Sequence, residues 1–279
     1  MKYFLLLLLL AVPACALGGG HSQSFGSWLE AFRQEARSQG ISDKTLDDAF
    51  KDTAPIDRII ELDRKQPEGT LTLAQYLANT INKSRIEDGR ARFADNRELL
   101  EKIGTEYGVQ PRYIVALWGI ETHYGEHTGG FRTVDALATL AYDGRRSGYF
   151  RGELLKALHI IEDEHIDAST LQGSWAGALG QCQFMPTSFL SYAVDYDKDG
   201  KRDIWGTQAD VFASIANYLN FLGWNANEEW GFAVALPKEF NTAQADINVK
   251  NRRANGRRLA SVKKTVAICR IKTTALHSY

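Results

Sequence analysis

The sequence predicts a mainly α protein with little β structure, on three observations. Helix-start and helix-stop residues punctuate the chain, apolar residues recur three and four positions apart, and no stretch alternates apolar with polar residues before Phe232-Ala233-Val234-Ala235. The first helix opens at the capping box Ser27-Trp28-Leu29-Glu30, carries Trp28, Leu29 and Phe32 on one side, and stops at Gly40. Ser42 caps a second, short helix through Ala49 and Phe50, and Pro55 to Thr70 reads as irregular. Leu71 to Asn82 is a further helix, after which Ile86, Leu99, Leu100 and Ile103 form the apolar face of an interrupted helical region reaching Tyr107. Pro111 suits the first turn of the next helix. From Tyr113 to Ile120 nothing is charged, so no stripe can face water and a buried helix is expected. Val134 to Ala141 and Phe150 to Glu164 continue the helical pattern, and no internal repeat of useful length interrupts it.

The chain has 279 residues, 44% hydrophobic and 24% charged, which describes one large or two modest globular domains. A formal net charge of −1 leaves no basic surplus to neutralise phosphates and excludes nucleic acid as the expected partner. Lys2, the apolar block Phe4 to Val12 and the small residues that follow read as a signal peptide over residues 1–16, so export to the periplasm or cell envelope is expected. Ala14-Cys15-Ala16 is a simple cleavage site. Val12-Pro13-Ala14-Cys15 resembles the box before a lipid-modified cysteine, with Pro13 a poor fit, and membrane attachment follows only if Cys15 is lipidated. The two other cysteines, Cys182 and Cys269, make no disulfide framework, and no Cys/His spacing suits zinc. Six Trp, eleven Tyr and thirteen Phe serve a core first and suit a sugar-binding cleft second.

The strongest chemical signal is Ala116-Leu117-Trp118-Gly119-Ile120-Glu121-Thr122-His123-Tyr124-Gly125, where one carboxylate closes an otherwise apolar run. Desolvation favours the neutral acid, so Glu121 should have its pKa raised toward ~6, as a general acid requires. The competing reading is a buried Glu neutralised by Arg132, Arg145 or Arg146. In Gly173-Ser174-Trp175-Ala176-Gly177-Ala178-Leu179-Gly180-Gln181-Cys182-Gln183-Phe184-Met185-Pro186, glycines allow close approach, and Ser174, Gln181 and Gln183 offer groups suited to N-acetyl and sugar hydroxyls. Alone, that segment reads as a tight helix corner. In Asp195-Tyr196-Asp197-Lys198-Asp199-Gly200-Lys201-Arg202-Asp203-Ile204-Trp205-Gly206, Asp195, Asp197, Asp199, Lys201 and Asp203 stand at the alternate ligand positions of a calcium loop, with Gly200 at the sharp turn. The twelfth position is Gly206 rather than Glu, so weak binding is expected unless Asp210 swings in; a solvated acidic turn is the alternative.

The region from Phe93 to Trp224 resembles the catalytic domain of the lytic murein transglycosylase B family. The matching blocks are Trp118-Gly119-Ile120-Glu121-Thr122 with Tyr124-Gly125, Asp135-Ala136-Leu137-Ala138-Thr139-Leu140, and Arg145-Arg146 with Tyr149-Phe150. They continue with Gly173-Ser174-Trp175-Ala176-Gly177, Gln183-Phe184-Met185-Pro186 and Ser214-Ile215-Ala216-Asn217-Tyr218. The resemblance implies a lysozyme-like α-rich domain acting on peptidoglycan glycan strands, with Glu121 as sole catalytic acid and base and Ser174, Gln183, Tyr149, Tyr218 and Arg146 lining the cleft. It implies cleavage between N-acetylmuramic acid and N-acetylglucosamine with closure of a 1,6-anhydro ring. No cofactor is then required, weak structural calcium is the one candidate, and a monomer is expected. A muramidase-type hydrolase and a non-catalytic glycan-binding protein are the alternatives, with a calcium sensor further behind.

Residues 24–232 are expected to form this catalytic domain, and residues 233–279 an incomplete or disrupted C-terminal segment. Family members continue longer, with a closing segment that returns to the cleft, whereas the polar stretch after Asn241 and the run Ile268 to Tyr279 lack that character and are expected to be mobile. Cys182 stands where relatives carry Thr or Tyr, and as a small side chain it should be tolerated.

Overall fold

The computed structural model describes residues 23–65, 72–164, 166–231 and 239. The signal-peptide reading, the strand expected at Phe232 to Ala235 and the mobile tail lie outside them. The described chain is helical, as expected, with two strands of two residues each, Phe131–Arg132 (β1) and Gln172–Gly173 (β2), paired antiparallel. No described helix is long and apolar enough to cross a membrane.

Helix α1 spans Phe25–Ser38 and begins three residues earlier than the sequence signal, because Ser24 rather than Ser27 is the cap: its Oγ accepts the Ser27 amide at 3.2 Å. Glu30 faces Arg33 and Arg37 instead of closing a capping box. Helix α2, Asp43–Ala49, is capped by Ser42 as expected. The stretch read as irregular contains α3, Asp57–Arg64, which has no capping side chain at its start. Tertiary contacts hold it instead. Ile59 is fully buried, the Ile56 amide donates to Thr139 Oγ1 at 3.1 Å, and buried Asp63 pairs with Arg145 and Arg146. Helix α4, Leu73–Thr80, carries a complete capping box between Thr72 and Gln75.

The interrupted region resolves into α5 (Lys83–Asp95) and α6 (Arg97–Tyr107), broken at Asn96 and ended by left-handed Gly108. Helix α7, Pro111–Thr122, has proline in its first turn and left-handed His123 as its C-cap. It is not wholly buried. Ile114, Val115, Trp118 and Gly119 face the core, while Ala116 and Glu121 are exposed and Ile120 is 44% exposed. The uncharged run from Tyr113 to Ile120 therefore keeps one apolar position, Ile120, open to solvent.

Helices α8 (Thr133–Asp143) and α9 (Ser147–Glu164) pack on each other at the centre. Every residue of α8 from Thr133 to Ala141 except Asp135 is buried; a fully buried leucine such as Leu137 contributes about 1.5–3 kcal/mol. Helices α10 (Pro186–Tyr192) and α11 (Gln208–Phe221) complete the wall opposite α7, where Trp118 wedges edge-on between Tyr124 and Phe212, at centroid distances of 5.4 and 5.1 Å. Gly119 permits this packing: a Cβ there would lie 2.5 Å from the Tyr124 ring.

Candidate active site

Glu121 occupies the last turn of α7, one residue before buried Thr122. Its carboxyl has no hydrogen bond or ion pair with any described residue. Its carboxyl keeps an edge on solvent but is packed by protein on most other sides, and this desolvation alone pushes its pKa up to about 7. The arginines that could have neutralised it are committed elsewhere: Arg132 to Asp135 at 3.0 Å, and Arg145 and Arg146 to Asp63, each at 2.6 Å. The salt-bridged reading of Glu121 is thereby overturned, and a lone, protonatable acid remains.

Tyr218 on α11 comes near this acid. Burial raises its phenol pKa first, with smaller contributions from Tyr192 and from the Glu121 charge. Its ring meets Phe184 at 5.6 Å and Tyr192 at 5.2 Å, and Phe221 extends the same aromatic wall at 4.9 Å from Tyr192. Tyr192 and Phe221 carried no sequence signal of their own, because their adjacency arises only when α10 packs on α11. Cys182 is buried beneath, with its thiol pushed up by burial and then by the charges of Glu121 and Asp210, so it is an inert packing group.

The glycine-rich segment is a tight hairpin rather than a helix corner. Leu179 and Phe184 exchange backbone hydrogen bonds of 2.7 and 3.1 Å around left-handed Gly180 and Gln183. Ser174 Oγ accepts the amides of Ala176 and Ala178, at 3.3 and 3.0 Å. Gln183 Nε2 donates to the carbonyls of Thr128 and Gly180, at 3.2 and 3.0 Å, which leaves its amide oxygen to receive a ligand donor. Gln181 differs from the sequence expectation: it is buried and bonded on all sides, so it does not face a glycan.

Arg146 and Tyr149 sit together at the start of α9. Arg146 has left-handed backbone, lies 4.9 Å from the Phe150 ring and keeps a buried Nε without a hydrogen-bond partner, while Tyr149 is half-buried against Phe150. Arg146 pairs with Asp63 rather than with Glu121. Asp63, which holds Arg146, was unreadable from sequence because its helix was.

The acidic loop brings together a different set of carboxylates from the one its spacing predicts. Oxygens of Asp195, Asp197 and Asp210 lie within 4.8 Å of one another. Asp210 is fully buried and accepts the amides of Tyr196 and Asp203, at 2.7 and 2.8 Å; burial raises its pKa, and Asp197 and Asp195 add to the effect. Asp199 instead accepts the Lys201 amide at 2.9 Å, Lys201 is exposed, and Asp203 caps Trp205, Gly206 and Thr207. Asp210, rather than a twelfth-position Glu, is thus the third carboxylate of the cluster. Three clustered carboxylates, one of them fully buried, fit a hard divalent cation, which would remove their mutual repulsion. Beside the loop lies a cavity of about 420 Å³ bounded by Thr128, Glu164, Leu171, Arg202 and Trp205; Glu121 is not among its lining residues.

Comparison with known proteins gives the family and the fold. Membrane-bound lytic murein transglycosylase B of Escherichia coli (strain K12) is 37% identical over 174 residues, covering 60% of this chain and 48% of that protein. The crystal structure of SltB3 from Pseudomonas aeruginosa in complex with NAG-anhNAM-pentapeptide superposes with a TM-score of 0.78 at 44% identity, covering 81% of this chain and 60% of the other. The Escherichia coli lytic transglycosylase Slt35 in complex with calcium gives 0.66 at 32% identity, covering 72% and 64%. The chain spans about half the length of the curated relative it matches. The model of the transglycosylase SLT domain matches residues 24–273, nearly the whole chain, and places this protein in the SLT-domain transglycosylase family.

Proposed function

We propose that the protein is a peptidoglycan lytic transglycosylase that cleaves the β-1,4 bond between N-acetylmuramic acid and N-acetylglucosamine and leaves a 1,6-anhydromuramoyl end. The observation that carries this reading is the solitary Glu121, with a pKa near 7 and no neighbouring carboxylate among the causes of its shift. An ordinary glycosidase needs two carboxylates, one as acid and one as nucleophile or base. A single acid serves if it first donates and then accepts. Protonated Glu121 gives its proton to the glycosidic oxygen, the C1–O bond breaks, and the acetamido oxygen of the same sugar shares the positive charge at C1. Ionised Glu121 then takes the C6 hydroxyl proton as O6 bonds to C1. The acid is regenerated, and no water is consumed. A group that must both give and take a proton works best with its pKa near ambient pH.

The NAG-anhNAM-pentapeptide bound to the relative SltB3 is a product of this kind and supports the same chemistry here. Tyr218 and the aromatic wall would stack on sugar faces, the Gln183 oxygen would accept from a sugar amide or hydroxyl, and Ser174, Arg146 and Tyr149 would extend the cleft. Asp195, Asp197 and Asp210 would hold calcium, which would neutralise their charges and stiffen the loop. The working compartment would be the cell envelope, where the polymer lies.

Incubation of purified protein with peptidoglycan sacculi, followed by mass spectrometry, tests the reading. Muropeptides one water lighter than hydrolysis products are expected. Reducing ends carrying that water would establish a muramidase, and binding without release would establish a glycan-binding protein.

A further inference from the structure

Gln181 joins the turn that follows Glu121 to the acidic loop, and the chemistry proposed above leaves it without a role. It is 5% exposed. Its Oε1 accepts the indole N–H of Trp118 at 2.7 Å, and its carbonyl accepts Thr122 Oγ1 at 3.0 Å. On the other side its Nε2 donates to the Trp205 carbonyl at 2.7 Å, and its amide donates to the Ile204 carbonyl at 2.8 Å. Four polar groups of one buried residue are therefore divided between the two residues that bracket Glu121 and two consecutive residues of the loop.

The turn needs outside support. His123, Tyr124 and Gly125 are all left-handed, with φ of 52°, 59° and 90°. Two of these are not glycine, and each such residue costs of order 1 kcal/mol unless its surroundings enforce it. Within the turn, Thr122 Oγ1 accepts the Gly125 amide at 3.1 Å while donating to Gln181. A Cβ on Gly125 would fall 2.5 Å from Gln181 Oε1, so the turn rests directly on this amide.

We propose that Gln181 is a positioning residue for Glu121: it fastens the strained turn at Thr122–Gly125 to the backbone of Ile204 and Trp205 and so fixes where the carboxyl points. The kinetic part of this inference rests on Glu121 being the catalytic acid; the structural part does not. Removal of the side-chain amide leaves the buried Trp118 N–H unpaired and takes the donor from the partly buried Trp205 carbonyl, so the turn has reason to let go of the loop.

Gln181→Met, close in shape and without the amide, tests this by native-state hydrogen exchange and kinetics. The amides of His123, Tyr124 and Gly125 should exchange at least ~10-fold faster, with a smaller change across α9, because the opening is local. Turnover should fall at least ~10-fold with KM within about 3-fold, since a misplaced acid weakens the transition state more than binding. The alkaline limb of the pH profile should move below the value of about 7 as the freed carboxyl gains water. A uniform rise in exchange across the fold, or unchanged turnover and limb, would overturn the proposal. If Gln181→Met does not fold, Trp118→Phe removes the indole donor while leaving an aromatic ring against Phe212, and the same directions are expected of it. A parent protein without lytic activity would refute the proposed function, and the exchange comparison would still decide the role of Gln181.

Discussion

Replacing Glu121 with Gln keeps the side chain's shape and removes one titrating proton, so the variant reads the free-energy cost of ionising an acid in these desolvating surroundings. In the unfolded chain the carboxyl ionises near 4.5, and in the folded chain near 7. Between those values the folded state holds the proton that the unfolded state has lost. Stability therefore falls as pH rises through that window, and the loss is complete above about 7. At ~1.4 kcal/mol per pH unit the full separation is about 3 kcal/mol, which the solvent-facing edge of Glu121 reduces to about 1–2 kcal/mol. Glu121→Gln should match the parent near pH 4 and exceed its Tm by roughly 2–8 °C at pH 8, using ~2–4 °C per kcal/mol for a domain of this size. Scanning calorimetry at the two pH values measures it. An equal Tm difference at both, or a variant less stable at pH 8, would refute the desolvation argument. The same substitution should lower lytic activity at least ~100-fold.

The parent's rate should decline on the alkaline side with a midpoint near 7, as the proton donor is lost; a profile flat from pH 5 to 9 would count against a tuned acid. Asp63→Ala should destabilise the fold by about 3 kcal/mol, because Arg145 and Arg146 lose a buried partner, and denaturant titration measures the loss. Gly119→Ala should cost about 1–3 kcal/mol, since the new Cβ meets the Tyr124 ring, and a Tm equal to the parent's would contradict that contact. Calcium should raise Tm by mass action, by the equivalent of ~2.7 kcal/mol at a hundred times its Kd, and Asp210→Asn should abolish the rise, whereas Gly206→Glu should not be needed to obtain it.

The sequence by itself determined the helical class, the cap at Ser42, the first-turn place of Pro111 and an interruption in the helical region that ends at Tyr107, and it singled out Glu121 as the candidate acid, because these depend on neighbours within a turn or two along the chain. It also marked the alternate aspartates of the loop, since their spacing is local. Tertiary structure decided the rest. Helix α3 forms because Asp63 meets two arginines about eighty residues away, which no local propensity records. Helix α7 keeps Ile120 open, although the run from Tyr113 to Ile120 is uncharged, because the core covers only its other face. Asp210 completes the acidic cluster from the first turn of α11, and Gln181, which the sequence could only read as one more amide for a sugar, is buried as a clamp. The pKa of Glu121 belongs to this second class as well: a residue type sets where a carboxyl starts, and only the packing around it decides how far from water it ends.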